Sequence, residues 1–135
     1  MTESNHQPPQ SEIDSIIALF SNNMLQAALD EVKSLTKRFP KDPLLHNITG
    51  ACYAGLGQLG SAIKCYDKAI DINPDYAKAH FNLGNAYHEQ GEPDESITSY
   101  QRSIEIDPNY AEAHNNLGNV FRDYRNLDEV RNYLL

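Results

Sequence analysis

The sequence repeats itself every 34 residues, and this periodicity constrains the fold more than any other feature. The block from Ala77 to Tyr110 has one copy before it, Pro43 to Tyr76, and another that starts at Ala111. The matching positions are His46, His80 and His114; Gly50, Gly84 and Gly118; Tyr53, Tyr87 and Phe121; and Pro74 and Pro108. A fixed period of this length predicts stacked units, because no single unit buries its apolar face alone.

The charge and hydropathy of the chain disfavour several classes of partner. A net charge of -8 opposes binding to a nucleic-acid backbone or to an anionic membrane surface. No apolar stretch approaches the roughly 18 residues of a membrane helix, and no secretory signal pattern is present. Cys52 and Cys65 lack the spacing of metal ligands or a redox pair, which favours reduced thiols. We therefore expect a cytoplasmic protein.

Apolar periodicity predicts a pair of helices in each repeat. Residues Met1 to Gln10 are polar, contain two prolines and show no periodicity, so we expect a disordered lead-in. The segment from Ser11 onward is expected to form one array. Its approximate repeats are 9–42, which is divergent, 43–76, 77–110 and 111–135, which is truncated.

Turn residues separate the two helices of each repeat. We expect turns at Ser21-Asn22-Asn23, where an asparagine can adopt the left-handed backbone that ends a helix, at Gly55-Leu56-Gly57, and at Gly91, which supplies a positive backbone dihedral angle. Small residues at Gly84, Ser96 and Ser103 predict a close approach of the paired helices.

The last repeat departs from this scheme. Arg125 stands where Gly91 ends a helix, and Val130 and Arg131 replace a small residue and an isoleucine. We expect a short final helix here and an exposed apolar surface that favours association.

One pattern in the central repeat resembles the tetratricopeptide repeat (TPR): His80, Leu83, Gly84, Tyr87, Ser96, Tyr100, Ser103 and Pro108. The family usually has Trp at the first of these positions and Ala at the positions of Ser96 and Ser103. The resemblance extends from Ser11 to Leu135. It implies an all-α fold, a right-handed α-solenoid of about three and a half repeats whose first helices line a concave groove. It also implies peptide or protein binding rather than catalysis.

The sequence predicts no catalytic residue, no metal site and no cofactor. Equivalent histidines in stacked repeats should lie about 8 to 10 Å apart. Zinc needs each nitrogen at about 2.0 to 2.1 Å, so His46, His80 and His114 cannot share an ion and are expected to pack between repeats. No serine has a histidine and an acid at a recognisable spacing, and no phosphate-binding glycine loop occurs.

At 100° per residue, one face of each first helix lies beside its apolar stripe. In the groove that the resemblance implies, this face supplies the candidate peptide-binding residues: Leu44, Ile48 and Ala51; Lys78, Asn82, Asn85 and Glu89; Glu112, Asn116, Asn119 and Asp123. A side-chain amide matches the C=O and N–H of an extended peptide. The duplicated Asn-Leu-Gly-Asn resembles the asparagine ladder in the repeats of O-linked N-acetylglucosamine transferases. The alternative is that these asparagines sit in solvent or bond to one another between repeats.

Another TPR subfamily clamps the acidic tail of a chaperone with Lys and Arg. Those positions hold Asn47, Phe81, Glu112 and Asn116 here, and Glu89 and Asp123 lie nearby. Capture of a terminal carboxylate is therefore disfavoured.

Three hypotheses of function follow. The first is a non-catalytic module that binds an extended segment of a protein or peptide partner. The second is the N-terminal substrate-docking array of a larger glycosyltransferase or sulfotransferase. The third is a scaffold that forms a homo-oligomer through its incomplete last repeat.

Overall fold

The computed structural model describes residues 7–134, which form helices and no strand. The helices are α1 (Gln10–Ser21), α2 (Leu25–Arg38), α3 (Pro43–Gly55), α4 (Leu59–Ile72), α5 (Ala77–Glu89), α6 (Pro93–Ile106) and α7 (Ala111–Leu134). The predicted all-α fold is confirmed. Of the lead-in expected at Met1–Gln10, the first six residues lie outside the described range, and α1 begins at Gln10.

Turns with a left-handed residue separate the helices of the first three pairs. Asn23 has a φ of 61°, and Gly57 and Gly91 each have a φ of 79°. These three positions lie 34 residues apart, which confirms the predicted turns. Prolines are the first residues of α3 and α6. The first N–H groups of a helix have no intrahelical partner, so proline, which lacks an N–H, loses no hydrogen bond there.

The chain divides into two compact units, Met1–Pro74 and Asp75–Leu135. In the first unit, α1 packs on α2, α2 on α3 and α3 on α4. The buried core of this unit comprises Ile13, Ile16, Ala28, Leu29, Val32, Leu35, Leu45 and Cys52.

In the second unit, α5 packs on α6 and α6 on α7 around Phe81, Tyr100, Ala113 and Val120. The ring of Phe81 stacks on Tyr110 with a centroid distance of 4.9 Å. These aromatic residues all belong to the repeat 77–110, and Ala113 and Val120 extend the same core into α7.

Small residues let α6 lie directly against α5, as predicted. A Cβ atom added to Gly84 would come within 2.7 Å of the Tyr100 ring. Ser96 Oγ donates a hydrogen bond to the Gly84 carbonyl at 2.8 Å, and Ser103 Oγ donates to the Ala77 carbonyl at 2.9 Å. The two serines therefore satisfy their own hydroxyls on the backbone of the neighbouring helix, and both are fully buried.

The short final helix expected after Arg125 does not form. Instead α7 runs as one helix of 24 residues through this position. Arg125 extends into solvent and pairs with Glu129 at 3.4 Å, one helical turn later. An L-residue pays a steric penalty at positive φ, so continuing the helix is more favourable for arginine than making the turn. The exposed apolar surface expected here is confirmed, because Phe121, Tyr124 and Leu127 are 49%, 41% and 62% exposed.

Among the residues that the structure describes, no helix combines the length and hydropathy needed to cross a membrane.

Candidate functional site

Four half-buried asparagines lie on α5 and α7 of the second unit: Asn82, Asn85, Asn116 and Asn119. Asn116 Nδ2 donates a hydrogen bond to Asn85 Oδ1 at 2.9 Å. The hydroxyl of Tyr100 donates to the same Asn85 oxygen. The structure thus brings together predicted residues from two successive repeats. Bonding between asparagines of adjacent repeats, the alternative raised above, occurs at this pair.

Tyr100 holds this amide pair in place. Its ring is fully buried against Gly84, and only its hydroxyl reaches the asparagines. Burial raises the pKa of Tyr100, and the charge of Glu89 raises it further, while hydrogen bonds with Asn116 and Ser96 act in the opposite direction. The phenol therefore stays protonated at neutral pH and keeps donating to Asn85.

Other predicted residues lie around this pair on α5 and α7. Asn119 accepts a hydrogen bond from Arg122 of its own helix. Asp123 accepts one from His88 Nε2 at 3.1 Å, which joins α7 to α5. The charged side chains of Lys78, Glu89 and Glu112 are exposed.

The three apolar residues predicted in the groove belong to α3 of the first unit. Leu44 is 37% exposed. Ile48 packs against the buried core of this unit, and Ala51 is half-buried. Ile48 therefore contributes to stability within its own unit, and Leu44 is the more accessible apolar side chain.

Two of the three aligned histidines bind the turn that precedes their helix. His46 Nε2 lies 2.7 Å from the Pro40 carbonyl oxygen, and His114 Nε2 lies 2.8 Å from that of Pro108. His80 is 9% exposed. These contacts give the histidines a structural role at the junction of repeats. The described part of the chain contains no group of three or more His, Cys, Asp or Glu residues able to hold a metal ion.

The two cysteines are free thiols on the facing helices α3 and α4. Burial raises the pKa of Cys52 to about 11, and the neighbouring Cys65 raises it as well. Burial also raises the pKa of Cys65, against the charges of Lys68 and Lys33. Since the thiolate is the reactive form, both groups are weak nucleophiles at neutral pH.

Two clefts on the second unit are lined by residues other than the asparagines. One, of about 330 Å³, is bordered by Leu83 and Tyr87 of α5 and by Thr98 and Ser99 of α6. Another, of about 170 Å³, lies between the turn at Gly91 and α7. Of the predicted residues, Asp123 lines the second cleft.

Sequence reasoning missed the bond between Tyr100 and Asn85. The signal in the sequence is a tyrosine at position 100 together with an asparagine at position 85. The preceding repeat lacks this combination, because its equivalent residues are Tyr66 and Ala51.

A family model described as a TPR repeat matches residues 50–91 and 84–122. These spans together cover more than half of the chain. The chain belongs to the TPR repeat family. The helices of the described residues accordingly form a TPR solenoid of roughly three and a half repeats, and the family resemblance drawn from the residues is confirmed.

Solved structures share the TPR fold. The first TPR of Spaghetti (RPAP3), bound to the HSP90 peptide SRMEEVD, superposes with a TM-score of 0.83 at 22% identity, covering 90% of this chain and 96% of that one. The Sgt2 TPR domain from Aspergillus fumigatus gives a TM-score of 0.86 at 19% identity, covering 95% and 88%. MamA gives a TM-score of 0.79 at 22% identity, covering 92% and 72%. At these identities the likeness concerns the fold.

A curated relative is a peroxisomal targeting signal receptor of Candida albicans. It is 26% identical over 83 residues, which make up 57% of this chain. The matched segment is 14% of the receptor, so this chain corresponds to a small part of that protein.

Proposed function

We propose that this TPR array is a non-catalytic interaction module that binds an extended segment of a partner protein along α5 and α7. The observation that carries the proposal is the pair formed by Asn85 and Asn116. Their mutual bond uses the Asn85 oxygen and one N–H of Asn116. The amide nitrogen of Asn85 and the oxygen of Asn116 supply a further donor and acceptor.

Such a pair suits a peptide backbone because it is held before the ligand arrives. Tyr100 and Asn116 fix the Asn85 amide from two directions, so little side-chain freedom is lost on binding. A backbone N–H and C=O are present in every peptide. The contact therefore contributes affinity without specifying the ligand sequence.

Charge around the pair supports a neutral or basic ligand. Among the predicted residues, Glu89, Glu112 and Asp123 are exposed and acidic, and Lys78 is exposed and basic. The HSP90 peptide in the Spaghetti complex carries two glutamates and an aspartate. We infer a different ligand class here, since carboxylates beside these acidic residues raise the energy of the complex.

An immobilised array of extended peptides with basic, neutral and acidic sequences tests this proposal. The Asn82→Ala/Asn116→Ala double variant should bind the peptides selected by the wild-type protein about tenfold or more weakly, since a lost hydrogen bond to a fixed partner costs about 1 to 3 kcal/mol. Asn126→Ala, an exposed asparagine later on α7, is the matched control and should bind as the wild type does. Equal affinity of all three proteins would remove the asparagines from the mechanism. A preference for acidic peptides would contradict the assigned ligand class.

A further inference from the structure

One face of α7 presents the surface that a second helix covers in the other repeats. Gly50 and Gly84 lie under aromatic rings, and a Cβ added there would come within 2.5 Å of Tyr66 and 2.7 Å of Tyr100. Gly118 occupies the same position of the next repeat and is exposed. Within the described residues, nothing lies within 4 Å of a Cβ built on Gly118.

The covered helix α5 shows which contacts belong to this surface. Ser96 donates a hydrogen bond to the Gly84 carbonyl, and Ser103 donates one to the Ala77 carbonyl. The hydroxyl of Tyr100, which lies between the two serines in the sequence, donates to Asn85. The corresponding residues of α7, 34 positions later, are Gly118, Ala111 and Asn119. Two of these contacts use backbone carbonyls, which α7 also has, and the third uses a side-chain amide, which Asn119 supplies in α7.

The charges on α7 indicate which residue types the first turn of the incoming helix should contain. Asp94 lies six residues before Tyr100, or about 9 Å along a helix, and Arg125 lies seven residues after Gly118, or about 10 Å. An antiparallel helix with its aromatic residue over Gly118 therefore places its first turn beside Arg122 and Arg125. Both arginines are exposed, and acidic side chains are also favoured in a first turn by the helix dipole.

We propose that this face of α7 binds an amphipathic helix of a partner protein. The helix carries Ser or Ala, then Tyr or Phe four residues later, then Ser or Ala three residues after that, with acidic residues in its first turn. Its aromatic ring packs on Gly118, and the helix covers Phe121. Residues 130 and 134, which correspond to Ser96 and Tyr100, are Val and Leu and belong to α7 itself, so no segment of the described residues supplies this helix. This surface is separate from the asparagine pair and does not depend on the peptide-binding proposal.

The helix α6 of this chain already has the required pattern and provides the probe. A fluorescent, end-capped peptide of residues 92–107, EPDESITSYQRSIEID, is titrated against the intact protein by anisotropy. We expect saturable binding. The same peptide with Tyr100→Ala should bind about tenfold or more weakly, because it loses the ring that packs on Gly118.

The variant Gly118→Ala should weaken peptide binding without destabilising the free protein. The added methyl group meets nothing in the free protein, and alanine favours an exposed helix, so thermal stability should stay equal or rise. In the complex the methyl group would lie under the aromatic ring, as it would at Gly84, and binding should weaken about tenfold or more. Gly60→Ala, at an exposed helical glycine that also has open space, is the matched control and should bind the peptide as the wild type does.

The arginines give a second, independent readout. Arg122→Glu/Arg125→Glu should weaken binding most at low ionic strength, where charges are screened least. Absence of peptide binding, or binding that Gly118→Ala leaves unchanged, would overturn the proposal. A dimer found by light scattering would also overturn the proposal if Gly118→Ala dissociates that dimer and the peptide does not. A second copy of this chain would then be the occupant.

Discussion

At the scale of single residues, the glycines of this chain have three physically different roles. Gly84 makes room for a neighbouring aromatic ring. Gly57 and Gly91 adopt a positive φ and meet nothing that a side chain would disturb. Gly60 and Gly118 have open space and no positive φ. The same substitution should therefore change stability in opposite directions at different glycines.

Alanine substitutions at three of these sites test that division. Gly84→Ala should destabilise the fold by about 1 to 3 kcal/mol because the methyl group overlaps the Tyr100 ring. Gly91→Ala should cost about 1 kcal/mol through its left-handed backbone alone. Gly60→Ala should stabilise by up to about 1 kcal/mol through helix propensity. Urea denaturation of the three variants measures these differences, and loss of stability in Gly60→Ala would contradict the assignment.

Buried thiol and phenol groups predict a loss of stability at alkaline pH. Cys52 has a folded pKa of about 11 against an ordinary value of 9.0, and Tyr110 one of about 12 against 10.0. The unfolded chain therefore releases these protons first, and stability falls as pH rises above about 9 through the folded pKa of Cys52. Melting temperatures between about pH 8 and 11 should decline, and more gently in Cys52→Ala. A flat profile, or rapid modification of Cys52 by a thiol reagent near pH 8, would show that this thiol is not buried as described.

At the scale of helices, the turn position 34 residues after Gly91 decides the length of α7. Arg125 occupies it, and the helix continues. The arginine is visible in the sequence, but the prediction of a short final helix is wrong, because the repeat pattern alone does not impose a turn at this position. A turn of this kind needs a residue that accepts a positive φ. Neither the 34-residue period nor the apolar periodicity shows that such a residue is present.

The difference in stability between two variants at position 125 tests whether α7 is one continuous helix. Arg125→Gly should destabilise the protein by about 1 kcal/mol relative to Arg125→Ala, because glycine is unfavourable inside an exposed helix. Both variants remove the ion pair with Glu129, so their difference isolates the backbone. If α7 turned at this position in solution, glycine would be the more stable variant. Thermal unfolding followed at 222 nm distinguishes the two outcomes.

Other features were predictable to the extent that they depend on nearby residues. The helix pairs, the turns at Asn23 and Gly91 and the small residues between α5 and α6 all follow from local spacing. The bond from Tyr100 to Asn85 depends on how far α6 is rotated against α5, which residue spacing leaves open. The contact of Asn116 with Asn85 depends in the same way on the packing of successive repeats.

At the scale of the whole molecule, each compact unit is built from helices that are neighbours in sequence. Only short loops have to close before each pair of helices can pack, so the entropy cost of every contact is low. The array should therefore behave as a chain of coupled local units rather than as one globular core.

This organisation predicts fast folding. Refolding after a brief unfolding pulse, which leaves no time for proline isomerisation, should be complete within microseconds to milliseconds. Stopped-flow and temperature-jump measurements cover this range. A dominant phase lasting seconds under these conditions would mean that distant parts of the chain must meet before any unit becomes stable.

The bare glycine of α7 also has an evolutionary consequence. Gly118 weakens an exposed helix by about 1 kcal/mol relative to alanine, and its neighbours in the described structure make no use of the space that it leaves. Mutation would replace such a residue by drift unless selection opposed it. Homologues that have lost the docked helix should therefore carry alanine or larger residues at this position, while those that keep glycine should also keep arginines at the positions of Arg122 and Arg125.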